Sequence, residues 1–311
     1  SLPPSQGGGA RAAISESGFM ARLARMATMF QTHSDPESVP LREAATVMLM
    51  RDGSDGIEVC MLQRNLNSDF VGGAYVFPGG GVDPEDSEAD VEAISIGRTD
   101  ASASRLVGVE RSGLSYWVAA IRESFEEAGL LLATDSDGNT ISFADKEVAK
   151  RFEVHRHAVD SGERRLAEIC IEEDLRLDLG SIHYFSRWVT PLGAPRRYDT
   201  RFFVAAAPKG QVALHDDREV VATVWVTPQK ALADHEQGKR TMIFPTVRTM
   251  VALSRFDKVD DVLTHTAAQA SVEPVLPVLE EIGGGLRIRL PGDPEQTGGV
   301  YDAITAEPLS S

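Results

Sequence analysis

The sequence predicts an α/β domain, and three observations carry that prediction. Ala44–Met50 is an apolar run suited to a buried strand. The turn Asp52-Gly53-Ser54-Asp55-Gly56 joins it to a second run, Ile57–Arg64, in the pattern of a hairpin. Tyr116–Leu132, YWVAAIRESFEEAGLLL, places Ile121, Phe125 and Ala128 at the spacing of an inward helical face. Strand-like runs return after Gly180 and close at Thr227-Pro228, which has the N-cap and N1 chemistry of a further helix. A chain of 311 residues is long enough for one large core or two modest ones.

Taken in order, residues 1–41 read as an N-terminal extension. The first twelve are rich in Gly, Ser and Pro, Phe19–Phe30 has the spacing of a short amphipathic helix, and Ser34–Pro40 is a linker by composition. Residues 42–256 read as the main domain. Arg64 ends the second strand, where it meets either a phosphate or a neighbouring carboxylate. Ala74–Pro78, AYVFP, reads as a short strand, and Gly79, Gly80 and Gly81 after it predict a sharply turned loop that a ligand can approach closely. Asp83 to about Ser112 is acidic and polar, with one helical hint at Val91–Ile96. Asp135–Asn139 is a turn. It does not match a calcium loop, because its glycine is fourth where sixth is required.

Residues 143–174 read as helices of mixed charge. His155 and His157 form an H-x-H pair with no third ligand nearby in sequence, which reads as a surface helix. Ile182–Trp188 and Arg196–Ala205 read as strands. Alternation along the second puts Arg197, Asp199 and Arg201 on one face, either as a phosphate-binding patch or as an ion-pair ladder bracing the sheet. Phe244–Phe256 and Asp260–Ala270 read as helices. Residues 257–311 form a C-terminal extension holding a short strand pair and a tail.

The net charge of −16 argues against general nucleic-acid binding. An anionic ligand must then be met by a local basic patch or by metal ions. The two cysteines, Cys60 and Cys170, read as free thiols in or near the core. No run reaches the ~18–20 apolar residues of a membrane span, and no secretory pattern opens the chain, which together predict a cytoplasmic protein.

The feature that points to chemistry is the helix at Tyr116–Leu132. Glu123 precedes Glu126 and Glu127 by three and four residues, so three carboxylates crowd one face. Such a face is either solvated or neutralised by a cation, and hard divalent ions such as Mg²⁺ take carboxylate oxygens. With the glycine segment upstream, this stretch resembles the Nudix box, G-x5-E-x7-R-E-U-x-E-E-x-G-U, where U is a bulky aliphatic. Gly80 stands at the opening glycine, or Gly79 if the register begins one earlier. Asp86 or Glu85 correspondingly stands at the first acidic position. Arg122, Glu123, Glu126, Glu127, Gly129 and Leu130 match the second half. Ser124 departs from the usual aliphatic, and about 28 extra residues, an insert at about 87–114, split the box.

WVTP followed by RRYDTRFFVAAAP, and WVTPQKAL after an acidic loop, extend the resemblance over roughly Arg42–Phe256. The chain resembles the split-box subgroup of Nudix hydrolases, which includes peroxisomal coenzyme A diphosphatases of animals and bacterial relatives. The resemblance implies a Nudix-type α/β/α sandwich with a mixed sheet. It implies metal-dependent hydrolysis of a nucleoside diphosphate linked to another moiety, foremost coenzyme A or an acyl derivative. The other readings are NADH, an ADP-sugar, a capped RNA end, or a module that senses a nucleotide without cutting it. The resemblance implies Glu123, Glu126 and Glu127 as ligands of Mg²⁺ or Mn²⁺, with Arg122 holding the site in place. Glu219 or Glu123 would act as base, with Asp216 and Asp217 competing with Glu219. Arg64, Gly79, Gly80, Arg197 and Arg201 are the candidates for contact with a small-molecule nucleotide. The resemblance also implies that a homodimer can form.

Overall fold

The computed structural model describes residues 36–65, 72–213, 220–282, 285–291, 299–303 and 306–309. The Phe19–Phe30 helix and the acidic loop holding Asp216, Asp217 and Glu219 lie outside the described residues.

The predicted hairpin is present. β1 (Leu41–Gly53) and β2 (Gly56–Arg64) pair antiparallel, with Gly53 opposite Gly56. Gly56 closes the turn at φ +115°, a conformation that strains any side-chain-bearing residue. β3 (Tyr75–Val76) pairs with β2. The three glycines do not form the expected turned loop. They run as β4 (Gly79–Gly81), antiparallel to Ala44–Thr46 of β1, and none of them has a positive φ. Close approach is what calls for glycine here: a Cβ on Gly79 would lie 2.4 Å from Thr46 Oγ1 and 2.6 Å from the Ala45 carbonyl oxygen.

The insert is more ordered than one helical hint suggests. A 3-10 turn at Pro84–Ser87 leads to α1 (Ala89–Ala93), β5 (Ser95–Ile96) and α2 (Asp100–Val107). The signal for α2 is Thr99, whose hydroxyl accepts the Ser102 N–H while Ser102 bonds back to Thr99, a capping box written with serine. Next comes α3 (Leu114–Ala128), the helix of the three glutamates, ended by Gly129 in the left-handed conformation at φ 66°. β6 (Ala133–Thr134), α4 (Lys146–Asp160), α5 (Leu166–Glu172) and β7 (Arg176–Asp178) follow, with β6 and β5 flanking β7 in a small sheet.

β8 (His183–Val189), β9 (Arg197–Ala206) and β10 (Val220–Val226) return to the main sheet. α6 (Pro228–Glu236) is capped by Thr227, which accepts the Lys230 N–H. α7 (Phe244–Leu253), α8 (Val259–Ala267) and β11 (Pro274–Val275) come next. β12 (Val278–Ile282), β13 (Gly285–Arg289) and β14 (Val300–Asp302) form a three-stranded sheet where a strand pair and tail were expected. The main sheet runs β10-β2-β1-β9-β8-β11, with β3 on β2 and β4 on β1. β1 pairs parallel to β9 and antiparallel to β2, so the sheet is mixed.

Strand alternation splits the core in two. Val47, Leu49 and Phe203 point to the side of α2–α5, against Trp117, Ile121 and Phe125. Met48, Met50, Phe202 and Val204 point to the other side, against α6–α8. This is the α/β/α sandwich. The segment beyond residue 257 belongs to the second layer: Val259, Val262, Ile288 and Tyr301 are all buried in it. No described helix is long and apolar enough to cross a membrane.

Candidate active site

α3 is pinned by its apolar face. Trp117 packs on Phe203 with ring centroids 4.7 Å apart and donates its indole N–H to the Ile182 carbonyl at 3.0 Å. Its first turn is held by the insert: Asp100 accepts the N–H groups of Ser112 and Leu114, each at 3.0 Å, and Ser104 Oγ accepts that of Gly113 at 2.8 Å. With both ends fixed, the polar face is presented to β4.

Arg122 is the hub of that face and is only 9% exposed. Its Nε and Nη2 donate to the two oxygens of Asp86, each at 3.0 Å, a forked pair. Nη2 also donates to the Gly81 carbonyl at 2.8 Å. Nη1 lies 2.9 Å from Glu123 Oε1 and 3.3 Å from Glu126 Oε2. Asp86 is 3% exposed, whereas Glu85 is exposed, so Asp86 takes the first acidic position of the split box. The Gly79 N–H donates to Glu127 Oε2 at 2.9 Å. A Cβ on Gly80 would lie 2.3 Å from Glu123 Oε1. Each glycine therefore sets one carboxylate. We expect Gly80→Ala to push Glu123 aside and lower turnover on the order of ten-fold, with the fold retained, checked by kcat beside a thermal melt.

Among the described residues, the one guanidinium of Arg122 faces four carboxylates, those of Asp83, Asp86, Glu123 and Glu126. Burial raises Glu123, with Arg122 pulling it back down. Burial likewise pushes Glu126 up to about 7, against the pull of Arg122 and with a further push from Glu123. Burial alone would lower Arg122, but Asp86, then Glu123 and Glu126, more than offset it and hold the guanidinium charged. Hard oxygen donors carrying more negative charge than their one cation balances fit a divalent ion.

The Glu126 shift has a measurable consequence. Its folded value of about 7 lies above the ordinary 4.5, so in the metal-free protein the folded state holds a proton that the unfolded chain has released. This contribution is complete below about pH 4.5 and is lost as pH rises through about 7, roughly 3 kcal/mol in all. In chelator, the Tm advantage of Glu126→Gln over wild type should grow across that window. An advantage independent of pH would contradict the assignment.

The remaining candidates separate. Arg64 and Gly79 line one cavity, on the face of the sheet opposite α3. Arg197 donates to the Thr190 carbonyl at 3.2 Å. Arg201 points to the α3 side and is 2% exposed, 2.9 Å from Asp199 and stacked 4.2 Å over Tyr116, while Arg187 forks onto the same Asp199. The arginine–aspartate ladder expected as one alternative on β9 is thus a brace across β8, β9 and α3. His155 and His157 face different ways on α4, one buried and one exposed. His155, Glu172 and Glu173 bring ligand atoms within 4.8 Å of one another, close enough to hold a divalent ion. Arg151 and Arg164 already pair with those two glutamates, so the charge there is largely matched. Sequence reasoning missed Tyr116, whose hydroxyl donates to Glu43 at 2.5 Å, and Asp100; only the Thr99 cap signalled that the second lay on a helix.

A mixed sheet between helical layers, with a glycine strand against a helix of clustered glutamates, defines a class of metal-dependent phosphoanhydride hydrolase. The model of the NUDT19 Nudix domain matches residues 111–253. An acyl-coenzyme A diphosphatase NUDT19 of Xenopus laevis is 24% identical over 277 residues, covering 78% of this chain and 72% of that protein. The Homo sapiens protein of the same name is 25% identical over 285 residues, covering 81% and 75%. A Nudix hydrolase from Alicyclobacillus acidocaldarius superposes with a TM-score of 0.61 at 24% identity, over 76% of this chain and all of that one, which shows the shared fold. The chain belongs to the Nudix hydrolase superfamily and carries its general chemistry, hydrolysis of a nucleoside diphosphate derivative.

Proposed function

We propose that the chain hydrolyses the diphosphate of coenzyme A or an acyl-coenzyme A, giving phosphopantetheine or its acyl form and adenosine 3′,5′-bisphosphate. The observation that carries the hydrolytic reading is the excess of negative charge at the polar face of α3, where, among the described residues, Asp83, Asp86, Glu123 and Glu126 all face the guanidinium of Arg122. The relatives named as acyl-coenzyme A diphosphatases support the substrate.

In this reading residues 42–256 hold the hydrolase unit, and Glu123, Glu126 and Glu127 hold Mg²⁺ or Mn²⁺. Such an ion, when bound, neutralises diphosphate oxygens and lowers the pKa of a coordinated water. The Gly79 N–H keeps Glu127 oriented. Arg122 acts as a positioning residue, tying Glu123 and Glu126 to Asp86 and to the Gly81 carbonyl. Glu123 or Glu219 takes the proton of the attacking water. Arg64, in the cavity wall beside Gly79, meets a phosphate of the substrate.

The test is product analysis by mass spectrometry after incubation with Mg²⁺ or Mn²⁺ and coenzyme A, acetyl-coenzyme A, NADH, ADP-ribose or a nucleoside triphosphate. Adenosine 3′,5′-bisphosphate released well above the other turnovers is the expected result. Preferred cleavage of another dinucleotide would refute the substrate and keep the chemistry. Ligand binding in chelator without any cleavage would refute both.

A further inference from the structure

We propose that the apolar cavity between the main sheet and the C-terminal segment is a binding site for an acyl chain, and that Pro277, Ile288 and Ala303 limit the chain it accepts. The inference rests on the acyl-coenzyme A reading above and goes beyond it by assigning the chain a place. The cavity encloses about 210 Å³ on the face of the sheet away from α3. Its inner wall is aromatic: Trp188 and Phe244 meet edge to face at 6.0 Å, with Phe202 beside them. Its outer wall comes from the other end of the chain, from Pro277, Ile288 on β13 and Ala303 after β14. Those three lie beyond residue 253, where the match to the family model ends.

Two observations select the occupant. The first is position: Gly79 lines this cavity and its N–H donates to Glu127 on α3, so β4 joins the cavity wall to the carboxylate face. Arg64 is in the wall as well, which gives a substrate with a charged diphosphate and an apolar arm a natural direction. The second is chemistry. No Asp, Glu, Asn, Gln, Lys or His lines the cavity among the described residues. The polar side chains are threonine hydroxyls, Tyr198 and two arginines, Arg64 and Arg196. Most of the lining surface is apolar, and a saturated chain, with no hydrogen-bonding groups to satisfy, gains from every methylene removed from water. Ile288 is 4% exposed and Tyr301, packed on Phe244, is fully buried, so this wall is part of the core.

The experiment compares kcat/KM for dodecanoyl-coenzyme A with that for unacylated coenzyme A. Ile288→Phe narrows the cavity and should lower the ratio at least ten-fold. Trp188→Ala widens it and should move the preferred chain length upward in an acyl series. A ratio and a preference that stay at wild-type values in both folded variants would overturn the proposal. Should Ile288→Phe fail to fold, Trp188→Ala decides alone. A second readout does not depend on turnover: fluorescence enhancement of a dansyl-labelled undecanoic acid, expected with wild type and weakened at least ten-fold by Ile288→Phe. If no coenzyme A compound is cut, the functional reading fails, and probe binding still decides the cavity. Probe binding that is absent, or unchanged in the narrowed variant, counts against the acyl site, whereas its specific loss supports it.

Discussion

Replacing Glu127 by Gln should cut turnover by at least 10²-fold, on the scale of losing one electrostatic or acid–base contribution. The substitution keeps the size of the side chain and its ability to accept the Gly79 N–H at 2.9 Å, so β4 should stay where it is. What it removes is one unit of negative charge from the carboxylate face of α3. The Tm should therefore hold or rise slightly in chelator, while the stabilisation that Mg²⁺ or Mn²⁺ gives wild type shrinks. Steady-state kinetics at saturating metal, with melts in chelator and in metal, would separate the two effects. Activity near wild type would remove Glu127 from the metal site.

Asp86→Ala should have the largest effect on stability, a loss of about 3 kcal/mol, because removing one member of a buried pair strands the other. The value sits at the low end of that range, since Glu123 and Glu126 still face Nη1 of the stranded guanidinium. Nε is left without its acceptor, and the Asp83 N–H loses the bond it makes to Asp86 at 2.9 Å. Turnover should fall too, because Arg122 is then free to swing Glu123 and Glu126 with it. Urea denaturation gives the free energy. Asp86→Asn, which preserves acceptor geometry on one oxygen, should recover part of it. A loss under 1 kcal/mol for the alanine variant would show that Arg122 is satisfied by the α3 glutamates alone.

The main features of fold and site were legible where local chemistry decides them. The β1–β2 hairpin followed from its turn, α3 from its periodicity, its end from Gly129, and α6 from Thr227-Pro228. The three carboxylates were legible because helical spacing by itself brings them together. The glycine segment was misjudged for a physical reason: glycine permits both a turn and a close strand contact, and only the partner strand tells them apart. Arg197 and Arg201 could be placed on one face of β9, but the face opposite α3 was the one left open to a ligand. That choice depends on which layer packs where, which strand alternation does not encode. In the C-terminal segment the helix after Asp257 and a strand pair were legible, but its share of the cavity wall was not, because Pro277, Ile288 and Ala303 meet only in the folded chain.

The split of the box has a consequence for the energetics of the whole molecule. A connection made about fivefold longer costs only about 1.4 kcal/mol in loop-closure entropy. Asp100 and Ser104 receive three N–H groups from the start of α3, so the added length is fastened to the helix it delays. The insertion behaves as a splint rather than a tether. Proteolytic nicking between α1 and α2 should therefore leave both halves of the site associated, whereas a cut between α2 and α3 would detach the splint from the helix it steadies. Spacing within a catalytic motif describes the path the chain takes, and a molecule that anchors its detour locally is free to take a long one.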